Sequence, residues 1–199
     1  MGNRHSELIL PMINDLLQEC SLSLQQITGI AFGKGPGSFT GLRIACGVAQ
    51  GLAFAKNIPV VGINTLEAIA HQVNKSKIIV TLDARMGEIY HATFERLNDL
   101  EWNTVQEATL CKPENAPTLI GSGWIGCGSG FDIFKDELCK RYGDSINEFR
   151  SDLHPRAKEV AELALPFFMR GESIQASKAT LSYIRNKVAL KEHERQACR

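Results

Sequence analysis

The stretch AFGKGPGSFTGLR, Ala31 to Arg43, constrains this chain more than any other, because four glycines and a proline separate an apolar run from a helical one. ITGIAFGKG (Ile27 to Gly35) predicts a buried strand, and the residues from Ser38 to about Lys56 predict a helix. Within that helix Gly41, Ala45, Ala49 and Ala53 form one i+4 row of small residues; Gly47, Gly51 and Ala55 form another. Each helical glycine costs about 0.5–1 kcal/mol relative to alanine, so a compensating close approach is expected. Either the sheet of the chain's own lobe or a partner helix on the exposed side can supply it.

The bend itself admits two uses. Backbone N–H groups at a glycine-rich helix N-terminus suit an anion; a tight turn with Ser38 as helix cap employs the same residues. Gly35, Pro36, Gly37, Ser38, Thr40, Gly41 and Arg43 are therefore the candidate anion-binding or structural loop. The P-loop pattern fails, since no lysine follows Gly41. The dinucleotide pattern G-x-G-x-x-G also fails, because Ser38 and Thr40 stand at the final glycine when counted from Gly33 and Gly35.

Upstream, Ser6 suits a cap for a helix whose apolar positions are Leu8, Ile9, Met12, Ile13, Leu16 and Leu17; Pro11 predicts a later start or a kink. Downstream, IPVVGI (Ile58 to Ile63) predicts a strand, and Asn64 or Thr65 caps a helix to Gln72. KIIVTLDAR (Lys77 to Arg85), a tight turn at Met86-Gly87, and EIYHATFERL (Glu88 to Leu97) predict a hairpin. A further strand is expected within Glu101 to Lys112, a short one at Trp124 to Gly128, one helix over Phe131 to Tyr142, and another from His154-Pro155 to Arg170. Strands alternating with helices make this an α/β protein. The polar NKSK at Asn74 to Lys77 divides a first lobe, 1–75, from a second lobe, 76–178, with a C-terminal tail over 179–199.

Charge and composition exclude several classes. The 22 basic and 22 acidic side chains cancel, whereas a stand-alone nucleic-acid binder carries a basic excess. Cys20, Cys46, Cys111, Cys127, Cys139 and Cys198 show no paired spacing and read as free thiols of a cytoplasmic protein. No apolar run reaches the roughly 20 residues of a membrane span. His5, His71, His91, His154 and His193 show no i,i+4 pair and no H-E-x-x-H, and G-x-S-x-G is absent. Asp83, Arg85 and Glu88 flank the hairpin turn, where they suit a phosphate, a partner or plain solvation. No catalytic residue, metal or cofactor is assigned.

GKGPGSFTGLRIACGVAQGLAF, DARMGEIY, SYIRNKVA and the opening RHSELILPMINDLL together resemble the TsaB (YeaZ) family of tRNA threonylcarbamoyladenosine biosynthesis over nearly the whole chain. The resemblance implies an actin-like (ASKHA, ribonuclease-H-like) fold of two duplicated lobes. It also implies a relationship to the catalytic paralogue TsaD, whose metal-bearing H-x-x-x-H helix corresponds to NTLEAIA. Asn64 or Thr65 and Ile69 take the places of those histidines; asparagine and threonine ligate such a metal poorly and isoleucine not at all.

The resemblance further implies a non-catalytic subunit that forms a heterodimer with a TsaD-like paralogue and works with a TsaE-like ATPase. Such a subunit meets tRNA only through the complex and can form a homodimer where no paralogue is present. Leu8, Met12, Leu16, Ala45, Ala49 and Ala53 are the expected partner interface. Two alternatives are a stand-alone ATPase or glycoprotease-like peptidase, and a truncated copy without a working partner surface. The family opens with a β-hairpin before the first helix, whereas this sequence begins at that helix. An exposed strand edge in the first lobe is therefore expected.

Overall fold

The computed structural model describes residues 5–185. Helix α1 (His5–Glu19) contains Pro11, which is exposed, so the later start does not occur. Strand β1 (Ile30–Gly35) begins three residues later than the apolar run suggests. Gly29 lies against the Phe168 ring, so close that an added Cβ would sit 2.6 Å from it. Helix α2 (Phe39–Lys56) starts at Ser38, whose Oγ accepts from the Gly41 N–H at 3.4 Å, and ends at Asn57 in the left-handed region with φ 51°. Strand β2 (Val60–Asn64) pairs with β1 in parallel, from Ile30 opposite Val60 to Gly33 opposite Ile63. Helix α3 (Thr65–Ala70) follows at once, because the Asn64 side chain accepts from the Leu66 N–H at 2.9 Å. Among the described residues no strand pairs with β1 on the side away from β2.

The second sheet has five strands in the order β5-β4-β3-β6-β7. It comprises β3 (Lys77–Arg85), β4 (Glu88–Arg96), β5 (Trp102–Cys111), β6 (Trp124–Cys127) and β7 (Ile146–Arg150). β3, β4 and β5 are antiparallel neighbours, while β6 and β7 run parallel to β3. Met86 and Gly87 turn the β3–β4 hairpin with φ 59° and 71°. Positive φ at both central residues matches the right-handed twist of the flanking strands.

Two elements depart from expectation. The helix read over Phe131 to Tyr142 is divided into α4 (Gly130–Ile133) and α5 (Lys135–Tyr142), because Phe134 adopts φ −118°, ψ 40° and packs toward the second-lobe core. Strand β7 was not expected. It is a polar edge strand in which only Ile146 is buried.

Helix α6 (Ala157–Met169) joins the lobes. Its Val160, Leu163 and Ala164 share one core with Val61 and Ile63 of β2, Leu66 and Ile69 of α3, and Ile78, Val80 and Phe94 of the second sheet. Beyond it, Ile174 bridges to Val60, and Ala176 and Ala179 complete the first-lobe core beside Phe32, Cys46, Ala49 and Ala53. The division of the chain at 178/179 is thus not a division of the fold, since the end of the expected second lobe and the start of the expected tail both pack on the first. Residues 186–199 of that tail, with His193 and Cys198, lie outside the described residues. Among the described residues no helix is long and apolar enough to cross a membrane.

Candidate functional site

The glycine loop is a helix cap packed beneath the chain's own C-terminal segment. Gly35 (φ 106°) and Pro36 are buried and joined by a cis peptide bond. The Ser182 N–H donates to the Lys34 carbonyl at 2.8 Å, and a Cβ on Gly35 would lie 3.1 Å from the Ser182 oxygen. Thr40 is exposed. Arg43 lies 3.9 Å above the Phe39 ring and donates from Nε to the Tyr183 hydroxyl at 3.2 Å. The loop residues therefore meet as turn, cap and stack.

The hairpin-turn residues are also engaged internally. Asp83 accepts from the Arg85 N–H at 2.8 Å and pairs with the Arg85 guanidinium at 3.2 Å, holding Arg85 at φ 64°. Glu88 pairs with Arg185 at 2.6 Å. Asn64 caps α3, Thr65 is buried, and Ile69 is fully buried in the shared core.

The expected partner surface divides. Leu8 and Leu16 on α1 are exposed, with Met12 at 66%, and Leu10 is exposed on the opposite side of the helix. Ala45 is half-buried. Ala49 and Ala53 are core residues at 4% and 0% exposure, packed with Phe32, Val60, Ala176 and Ala179. Those two positions are corrected: their small size serves the chain's own lobe. The open small-residue row is Gly47, Gly51 and Ala55, where added Cβ atoms at both glycines would meet nothing within 4 Å. Phe54 is 80% exposed beside that row.

Electrostatics mark three places. Burial raises the Glu67 carboxyl to about 7, with Glu107 adding to the rise and Lys34 opposing it. Burial lowers His91 to about 4. Its two ring nitrogens and the Thr81, Thr93 and Tyr142 hydroxyls have no hydrogen-bond partner within the second-lobe core. His71 is lowered by burial and by Arg96; its Nδ1 accepts from Trp102 at 3.1 Å while Nε2 faces Glu162 at 3.3 Å. A neutral imidazole protonated at Nε2 satisfies both neighbours and ties α3, β5 and α6 together. Cys20, Cys46, Cys111, Cys127 and Cys139 are free thiols. Burial pushes Cys127 to about 12, which makes it a poor nucleophile. Among the described residues no three His, Cys, Asp or Glu side chains cluster as a metal site.

A family model described as TsaD, tRNA N6-adenosine threonylcarbamoyltransferase, matches residues 1–123. The tRNA threonylcarbamoyladenosine biosynthesis protein TsaB of Escherichia coli is 34% identical over 94% of this chain and 83% of its own length. The chain belongs to the TsaB (YeaZ) family. The TsaB of Haemophilus influenzae is 32% identical, covering 94% of this chain and 82% of the relative. Two solved structures from Pseudomonas aeruginosa superpose with a TM-score of 0.83. One, described as an uncharacterized protein with similarity to peptidase YEAZ, is 32% identical and covers 91% of this chain and 84% of that one. The other, described as YeaZ, is 31% identical and covers 92% and 86%.

The two-lobed α/β architecture is accordingly the actin-like fold of TsaB-family proteins. Two features of this TsaB-family chain are not apparent from its sequence. The polar side chains around His91 look like ordinary hairpin residues, although their alternate spacing at Thr81, His91 and Thr93 places them on one sheet face. The segment Ala176 to Arg185 reads as a loose tail; its signal was the SYIR run, an apolar pair between polar residues.

Proposed function

We propose that this chain is a non-catalytic subunit of tRNA threonylcarbamoyladenosine biosynthesis. It supports a TsaD-like threonylcarbamoyltransferase by forming a heterodimer with it. Its role in this modification follows from membership in the TsaB family. The observation that carries the partner reading is the apolar face of α1. Leu8, Met12 and Leu16 form an i+4 row in solvent there, although Ile9, Ile13 and Leu17 already give the helix a half-buried side. Contiguous exposed apolar area of this kind marks interaction surfaces. The glycines of α2 allow a partner backbone to come close. The structural roles of Asn64, Thr65 and Ile69 support the absence of catalysis by this subunit, and a TsaE-like ATPase and tRNA join through the complex.

The test is co-purification with a TsaD-like paralogue. Met12→Glu with Leu16→Glu, or Gly51→Glu, should reduce binding by about ten-fold or more, the equivalent of at least 1.4 kcal/mol, with the melting temperature not lowered. Unaltered binding by all three substitutions would overturn the assignment of this surface. Steady ATP hydrolysis or threonylcarbamoyl transfer by the isolated chain would overturn the non-catalytic reading.

A further inference from the structure

The segment after α6 crosses from one lobe to the other. It begins in the first-lobe core at Ala176 and Ala179, where the Ala179 carbonyl accepts from Gln50 Nε2 at 3.0 Å. It then passes the carboxyl end of β1, where the Ser182 N–H bonds the Lys34 carbonyl at 2.8 Å. Three residues later it reaches the carboxyl end of β3. There Arg185 Nη2 donates to the Ala84 carbonyl at 3.1 Å and pairs with the Glu88 carboxylate at 2.6 Å, with its side chain only 13% exposed. Three extended residues span at most about 10 Å and the Arg185 side chain extends further, so one short run of chain bridges the two strand ends.

The two strand ends belong to different sheets, and the chain's own backbone lies across the gap between them. The choice of side chain at its end has a physical reason. A guanidinium presents several donors in one plane and can hold a carboxylate and a carbonyl together, which an ammonium on a flexible stem does less well. The carbonyl it collects belongs to Ala84, next to the left-handed Arg85 and Met86 (φ 64° and 59°), a turn that gains from an external tie.

We propose that Ala176–Arg185 is a latch between the carboxyl ends of β1 and β3, with Arg185 as its catch on the β3–β4 turn. A tie on this side leaves the α1–α2 surface free. The latch stands whether or not a TsaD-like chain docks there. The lobes are already joined through α3 and α6, so releasing the catch frees these strand ends without unfolding the shared core.

Amide hydrogen exchange on the full chain tests this. Arg185→Ala and Glu88→Gln should each speed exchange at the Ser182 amide and across the 84–88 turn on the order of tenfold, leaving the Val160, Leu163 and Ala164 amides unchanged. Arg185→Lys should give a smaller acceleration at the same places. A Ser182 amide indifferent to loss of the Arg185–Glu88 pair would show that the two ends are independent, and the latch would be wrong. Equal acceleration throughout, α6 included, would make Arg185 a general stabiliser and would also overturn it. Should Arg185→Ala fail to fold, Glu88→Gln reads the same contact from the other side.

Discussion

The two lobes are stabilised by different means. The second buries Trp124, Phe131, Ile79, Ile89 and Leu138 against a continuous five-stranded sheet. The first has one parallel strand pair; beside its share of the common core, the cluster beneath α2 is Phe32, Cys46, Val60 and four alanines, two of which arrive from the distant segment after α6. One lobe depends on bulk, the other on close approach and on returning chain. Perturbations should therefore be felt differently: the second lobe suffers when a side chain is removed, the first when one is added.

The largest effect should come from truncating Trp124 to alanine. Deleting a fully buried aromatic typically costs about 3–5 kcal/mol, read as a fall in the urea midpoint. A loss below that of a first-lobe change such as Ala53→Leu would break the comparison.

Acid should come next, and act on the second lobe. The pKa of His91 falls from the usual 6.5 to about 4 on folding. The unfolded chain therefore binds the extra proton between those values. Stability is fully present above pH 6.5 and is lost as pH falls toward 4, by roughly 3 kcal/mol in all. Urea titrations across that window should show the slope, and His91→Phe should flatten it. Glu67, beside the junction of the lobes, works in the opposite sense. With its carboxyl raised from 4.5 to about 7, its contribution is present below pH 4.5 and lost as pH rises through 7. Glu67→Gln should remove that alkaline loss and leave the acid slope of His91 in place.

Smaller still is overpacking of the first lobe. Ala53 is fully buried among Phe32, Cys46, Ala49 and Val60; Ala53→Leu should cost about 1–3 kcal/mol. The smallest change sharpens the contrast between the faces of α2. Gly51 faces open space, so Gly51→Ala should raise stability by about 0.5–1 kcal/mol. A loss there would mean that the row is packed after all.

Much of this molecule was legible in its residues. Hydrophobic periodicity and turn chemistry placed α2 with its Ser38 cap, α3 with a cap at Asn64 or Thr65 that the structure assigns to Asn64, and the β3–β4 hairpin with its Met86-Gly87 turn, because caps and tight turns are decided by neighbours a few residues apart. The resemblance carried by GPGSFTGLR and its companions supplied the family. The division of the helix at Phe134 escaped, since that residue leaves helical geometry to reach a core that no local pattern announces. β7 escaped as well, because a polar edge strand has only one buried residue to mark it.

What tertiary structure alone decided is which face each candidate residue meets. The small residues of α2 were visible in sequence; that Ala49 and Ala53 belong to the core while Gly47 and Gly51 stay open depends on where β1, β2 and the returning Ala176–Ala179 lie. Asp83 and Glu88 were visible at a turn, but their partners were not. Asp83 closes on Arg85 nearby, whereas Glu88 waits for Arg185, far along the chain. Local order follows from short-range sterics and hydrogen bonds that a sequence displays directly. Pairing between distant side chains is fixed by the packing of the whole chain, and only the folded molecule brings those groups within reach of one another.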